Sequence, residues 1–227
     1  MMVSQPVAGV KFDRLSIQAT GVRIVPYETG VRRGFGYGFG CRAYWDVGMG
    51  WRIGLLNQHW YAPLEQQNAI IQWGWDYWLK IYGNAVYEAR QDPVYRMELK
   101  PRQALQVKPV LLMIDKRVAR FGGLALFTGA GVGAAWYSRQ LWLEEKWEKD
   151  FPSIGYTYAY SFRNHADPRR GWVGVSRLAL RLQWDKNDRF AIGFSAGYES
   201  FNRNRKDAAR FPLSKIIDGN IELQLRY

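Results

Sequence analysis

Two histidines, His59 and His165, and one cysteine, Cys41, are the imidazoles and the thiol that these 227 residues offer for acid–base, nucleophilic or metal chemistry. A single thiol excludes an intrachain disulfide and a cysteine-based zinc site. Cys41 falls on the apolar side of its segment, where it reads as a small apolar side chain. His59 sits in Asn57-Gln-His-Trp-Tyr61 and His165 in Asn164-His-Ala-Asp167, neither at His-x-Ser spacing. A nucleophile needs an oriented base, and no partner serine can be assigned to either histidine from the sequence, so a non-enzymatic protein is expected. It holds no metal-ligand cluster and no phosphate-binding glycine loop, and no cofactor is expected.

Charge is the richer signal. Lys and Arg number 32 against 20 Asp and Glu, a formal net charge of +12. Such a balance invites phosphate-bearing partners: nucleic acid, anionic lipid or lipopolysaccharide. Two groups of charges stand out. Arg42, Arg52, Asp76, Lys80, Arg177, Arg181, Glu199, Glu222 and Arg226 each occupy the polar side of an alternating stretch. Arg203, Arg205, Lys206, Arg210 and Lys215 crowd one loop, and Arg169-Arg170 another. Aromatic residues form separate stripes instead of mixing with these basic residues, which argues against nucleic acid.

The stretches that carry the first group alternate with period two. Leu178, Leu180, Leu182 and Trp184 oppose Arg177, Ala179, Arg181 and Gln183. Phe190, Ile192, Phe194, Ala196 and Tyr198 oppose Ala191, Gly193, Ser195, Gly197 and Glu199. Ile221, Leu223, Leu225 and Tyr227 oppose Glu222, Gln224 and Arg226. Side chains alternate faces along a strand, so these are β-strands with one apolar and one polar face. Phe35, Tyr37 and Phe39 alternate with Gly34, Gly36, Gly38 and Gly40, and glycines in register imply crowding on their face.

Eleven segments read as strands: 10–25, 33–44, 47–57, 69–82, 85–100, 104–114, 121–137, 154–163, 172–184, 189–201 and 216–227. Strands at short intervals without a linker or repeat predict a single all-β domain over 1–227, a sandwich or barrel. Residues 1–9 read as a flexible tail and 10–32 as an N-terminal strand or strap. Leu143 and Trp147, four apart among Glu and Lys, predict a short helical insert near 139–150. Residues 121–138 are uncharged and contain Gly129-x-x-x-Gly133, but their small residues alternate as in a strand rather than a membrane helix.

Alternation alone leaves open which face is inside. The aromatic face is too bulky for a small barrel's interior, which holds only a few side-chain layers. The opposite face is rich in Gly, Ala and Ser, as a narrow lumen requires. The chain therefore reads as an inverted barrel with apolar residues toward lipid, closed because a bilayer leaves no edge unsatisfied. Ten strands are expected, with eight or twelve as alternatives, since such barrels have even numbers.

With these features the chain resembles the small bacterial outer-membrane β-barrels, of the kind of the OmpA membrane domain and OmpX. The resemblance covers about residues 33–227 in pattern. Its most specific part is the ending Gly219-Asn-Ile-Glu-Leu-Gln-Leu-Arg-Tyr227, although most members end in Phe. It implies that Ile221, Leu223, Leu225 and Tyr227 act as the signal read by the outer-membrane barrel-assembly machinery. It also implies outer-membrane localisation. The start Met-Met-Val-Ser shows no leader, so export requires that a signal peptide has been removed. Some barrels of this group modify acyl chains on lipid A with a His and a Ser or acid near the outer rim; neither histidine here stands in a His-x-Ser pattern, which leaves a lipid A-modifying enzyme as the last of the alternatives.

The expected role is a non-enzymatic structural or interaction protein of the cell envelope, with a possible envelope protein partner. In a narrow lumen the nine alternating charges cannot stay unpaired, so they should form an Arg–carboxylate network. The excess of Arg among them leaves a porin-like, mildly anion-favouring channel as one alternative. A soluble ligand-binding barrel is another. Arg169, Arg170, Arg203, Arg205, Lys206, Arg210 and Lys215 are candidates for binding lipopolysaccharide phosphates by charge-assisted hydrogen bonds.

Overall fold

The structure, a computed structural model, describes residues 14–24, 31–32, 34–66, 68–203 and 210–226, excepting the side chains of 31, 32 and 226. The tail 1–9, Arg205, Lys206, Tyr227 and the Arg226 side chain lie outside these residues. Ten strands follow in order: β1 (Arg14–Ile24), β2 (Val31–Arg32), β3 (Phe35–Gly48), β4 (Trp51–Gln66), β5 (Tyr95–Phe121), β6 (Leu124–Phe151), β7 (Tyr156–His165), β8 (Arg169–Asp185), β9 (Phe190–Asn202) and β10 (Lys215–Arg226). Eight of them close an antiparallel ring in the order β4-β3-β1-β10-β9-β8-β6-β5, with β5 returning to β4. The first and last strands seal it, Ile17 opposite Leu223 and Ile24 opposite Ile216.

Eight ring strands is the lower of the alternatives, not the expected ten, and three of the eleven segments account for the difference. Segment 69–82 is helical, as α1 (Ala69–Trp73) and a π-helical turn (Trp78–Tyr82). Segment 85–100 divides between α2 (Gly83–Gln91) and the start of β5. Segment 154–163 is a strand, β7, but it pairs with β6 beyond the ring. The helix expected at 139–150 is also overturned, because those residues continue β6. Their true period is two: Leu141, Leu143, Glu145 and Trp147 are buried on one side, and the buried Glu145 breaks the apolar run.

No helix among the described residues is long and apolar enough to cross a membrane. The barrel wall itself has the inverted faces. Outside, Phe35, Tyr37, Phe39, Leu178, Leu180, Phe194, Ile221 and Leu223 are exposed. Inside, Gln18, Thr20, Arg42, Gln58, Arg177, Glu199, Asn220 and Glu222 are buried. Trp172 and Trp184 mark the edges of the outer band on β8. Their twelve-residue separation (184 minus 172) spans roughly 30 Å along the normal for a tilted strand, the thickness of a bilayer's hydrocarbon. The glycine face of β3 is crowded, as its pattern implies. A Cβ on Gly38 would lie 2.6 Å from Cβ of Trp60, and one on Gly36 2.9 Å from Cβ of Ala62.

The two ends differ. At one, connections are tight: Gly48, Met49 and Gly50 all turn with positive φ, and Gly122 does so in the next hairpin. At the other, long segments connect the strands. There β5 and β6, of 27 and 28 residues, run far past the wall. β5 leaves β4 at Gln103 and β6 leaves β8 at Arg139, so roughly 25 Å of β5 and roughly 40 Å of β6 run beyond the ring. With β7 they form a three-stranded arm. Trp73 and Trp75 of the helical segment pack on its Leu141, Leu143 and Ala166.

Candidate functional site

The lumen is lined by the inward parity of all eight ring strands, and its central charges come from six of them, β3, β4, β5, β8, β9 and β10. Arg177 is its best-satisfied cation: Nη1 donates to Glu199 Oε1 at 2.5 Å and Asp218 Oδ2 at 2.7 Å, and Nη2 donates to Asp218 Oδ1 at 2.6 Å. Arg181 lies 3.1 Å from Asp115 and 3.8 Å from Glu222. Arg42 is 3.7 Å from Glu222 and also donates to the Tyr44 hydroxyl. Arg52 donates to Gln183 Oε1 at 3.0 Å and pairs with Asp46 at 3.5 Å. Ring faces help to hold these charges: Arg52 and Arg181 lie 4.2 and 4.7 Å from the Phe127 centroid. Neutral donors complete the web, with Ser195 donating to Glu222 at 3.0 Å and Asn220 to Asp218 at 2.6 Å.

Six of the nine expected network residues therefore meet in the lumen: Arg42, Arg52, Arg177, Arg181, Glu199 and Glu222. Asp76 and Lys80 do not. They stand exposed on the helical segment, 3.2 Å from each other. Two network members, Asp115 and Asp218, escaped the sequence reading. Asp218 shares the parity of Glu222 and was within reach. Asp115 reads as a turn before Lys116 and Arg117, whereas β5 continues to Phe121. With both included, the described charges at this level of the lumen balance, Arg42, Arg52, Arg177 and Arg181 facing Asp115, Glu199, Asp218 and Glu222, with Arg139 buried nearer the long-loop rim.

Toward the long-loop end the lumen is stoppered by apolar side chains. Trp60, Leu105, Tyr137, Phe201, Phe211 and Leu213 are buried together. Phe211 and Leu213 belong to the β9–β10 connection, and Phe211 packs 4.8 Å from Tyr137 and 5.0 Å from Phe201.

Of the basic candidates, Arg169 lies 4.6 Å from the Trp73 ring centroid and donates to the Trp73 carbonyl, with Arg139 4.8 Å from the same ring. Burial lowers the Arg169 guanidinium from its ordinary value, and the positive charge of Arg210 adds to the effect. Arg170, Arg203 and Arg210 line a cavity of about 190 Å³ at the rim. Lys215 lies 6.0 Å over Tyr198, on the wall. His59 packs against Phe39 at 5.5 Å, and His165 stacks on Trp142 at 6.3 Å. Cys41 is exposed. Of the assembly-signal residues, Ile221 and Leu223 face outward in β10.

On the arm, Glu145 is buried and accepts hydrogen bonds from Tyr82 Oη at 2.9 Å, Trp147 Nε1 at 2.9 Å and Asn164 Nδ2 at 2.6 Å. These bonds fasten the helical segment to the strands. Burial, and then this bond to Glu145, push the Tyr82 phenol above its ordinary value.

No family model and no curated protein matches the chain. Among solved structures it is similar to Neisserial surface protein A at 5% identity, over 95% of this chain and 97% of that one, with a TM-score of 0.46. It is similar to Ail, the attachment invasion locus protein of Yersinia pestis, at 12% identity over 96% and 98%, with a TM-score of 0.42. It is also similar to a major outer membrane protein of Thermus thermophilus at 9% identity over 95% and 99%, with a TM-score of 0.49. The barrel assignment rests on the closed hydrogen-bond ring and the inverted burial, not on these likenesses.

Proposed function

We propose that the chain is an integral outer-membrane β-barrel, closed to solute flow, that holds a rigid arm above the outer leaflet as a non-enzymatic envelope scaffold. The observation that carries this reading is a lumen filled by paired charges and an apolar stopper beneath an apolar outer wall. In such barrels the short turns face the periplasm and the long connections the exterior, which orients the arm outward. An anion-favouring channel would need an uncompensated basic lining, and among the described residues four arginines face four carboxylates at mid-lumen. A soluble ligand-binding barrel would need a polar outer wall. The purified chain should require detergent and show a heat-shifted band on gels, yet give no steps in planar bilayers. Folding as a monomer in plain buffer would refute the membrane reading, and steady unit conductance would refute the closed lumen.

A further inference from the structure

We infer that the rim cavity lined by Arg170, Arg203 and Arg210 is a binding site for a phosphate monoester. Arg96, Arg102, Arg163, Arg177 and Arg181 meet carboxylates, and Arg139 and Arg169 are held by amide and carbonyl oxygens and the Trp73 ring. Among the described residues, no ion pair reaches Arg170, Arg203 or Arg210, yet all three border one cavity. Like charges converge at a cost unless an anion joins them, and planar guanidinium forks suit the oxygens of a phosphate dianion. Arg203 is held in place by its bond to the Phe211 carbonyl at 3.2 Å. The Tyr137 and Asn202 side chains add polar groups to the wall. At about 190 Å³ the cavity is smaller than the ~300 Å³ lower bound of sites that enclose a drug-sized ligand, so it takes a head group and leaves the rest outside. Trp172, at the edge of the apolar band, also lines it, which sets it at head-group height. The phosphate can come from a glycolipid of the outer leaflet or from a soluble sugar phosphate. Access from the cell exterior rests on the membrane reading above, whereas the anion chemistry does not.

The test uses the full chain folded in neutral detergent, titrated with glucose 1-phosphate by calorimetry. A second arm adds phosphatidylcholine vesicles doped with a phosphorylated glycolipid, or with the same glycolipid dephosphorylated. Saturable binding in either phosphate arm supports the site. Binding of vesicles alone assigns the phosphate to lipid, and binding of the soluble ester alone assigns it to a solute. The triple variant Arg170→Gln, Arg203→Gln, Arg210→Gln should weaken binding by more than about tenfold. Gly171→Ala keeps every charge but brings a Cβ to 2.8 Å from the Tyr137 hydroxyl, and it should also weaken binding. Arg163→Gln, on the arm, should not. If the triple variant loses its heat-shifted band, the single variant Arg170→Gln of an exposed residue carries the test. Absence of binding in both phosphate arms, or binding unchanged in the arginine variants, would overturn the site. Heat shift and electrical silence would be untouched by that result, so the two readings fail separately.

Discussion

Arg177 is held by two carboxylates, and losing one of them has a calculable consequence. Asp218→Ala removes the bidentate partner and leaves a buried guanidinium with Glu199 alone. Breaking a buried pair costs about 3–5 kcal/mol, because the surviving charge is left short of compensation. Unfolding by urea in lipid vesicles, followed by tryptophan fluorescence, should register that loss. Glu98→Ala on the exposed arm should change the same measurement far less, since water screens its ion pairs. Equal effects from the two variants would mean that the lumen network is solvated rather than closed. This network was only partly legible from the chain. Parity identified its arginines because a wall with lipid outside must alternate strictly. It placed Asp76 and Lys80 there too, because Trp73, Trp75, Tyr77 and Leu79 also alternate, although they wind through helical turns. Asp115 was hidden by a strand that outruns the membrane.

At the level of elements, the arm and its helical segment are held by few contacts and should respond independently of the barrel. Trp73 is buried between Arg139 and Arg169 and anchors α1 against β6. Trp73→Ala should remove about 3–5 kcal/mol from this docking. The loss should appear as faster proteolysis and hydrogen exchange over 69–91, with the barrel's heat shift preserved. Loss of the whole barrel would show that the segment is part of the wall's folding unit. On the arm's other face, Arg96, Glu98, Arg102, Glu144, Lys146 and Glu148 form a ladder of ion pairs. The hydrogen bond from Lys100 holds the Glu98 carboxyl below the usual glutamate range, and the Trp142 indole and Arg102 do the same for Glu144. Depressed carboxylates stabilise the folded arm above the unfolded glutamate value of about 4.3, and that contribution is lost as pH falls through the folded values. Acidification below that range should therefore raise hydrogen exchange in 96–102 and 142–150 before it affects β9 and β10. Exchange that stays flat there would show that the ladder contributes nothing. The same ladder explains why 139–150 reads as a helix. Glu144, Lys146 and Glu148 charge the outer face while Glu145 and Lys149 interrupt the inner one, and together they mask the apolar alternation.

At the scale of the whole molecule, lipid or water must cover the outer wall, and depth separates the two. Leu178 lies midway between Trp172 and Trp184 on β8 and is 62% exposed, whereas Leu124 lies at the tight-turn end beside Trp184 and is 41% exposed. In water, Leu→Arg at an exposed wall position costs little, and the more exposed site costs less. In a bilayer the order reverses. An arginine at the midplane costs about 2–4 kcal/mol, and one near the interface about 0–1, because its guanidinium can reach the head groups. Leu178→Arg should therefore destabilise the barrel in vesicles far more than Leu124→Arg, and the gap should shrink in short-chain detergent micelles. Because both substitutions replace leucine on the outer wall, the comparison cancels side-chain chemistry and leaves depth as the variable. Equal and negligible costs in vesicles would mean that the apolar wall does not meet hydrocarbon, whatever its composition suggests.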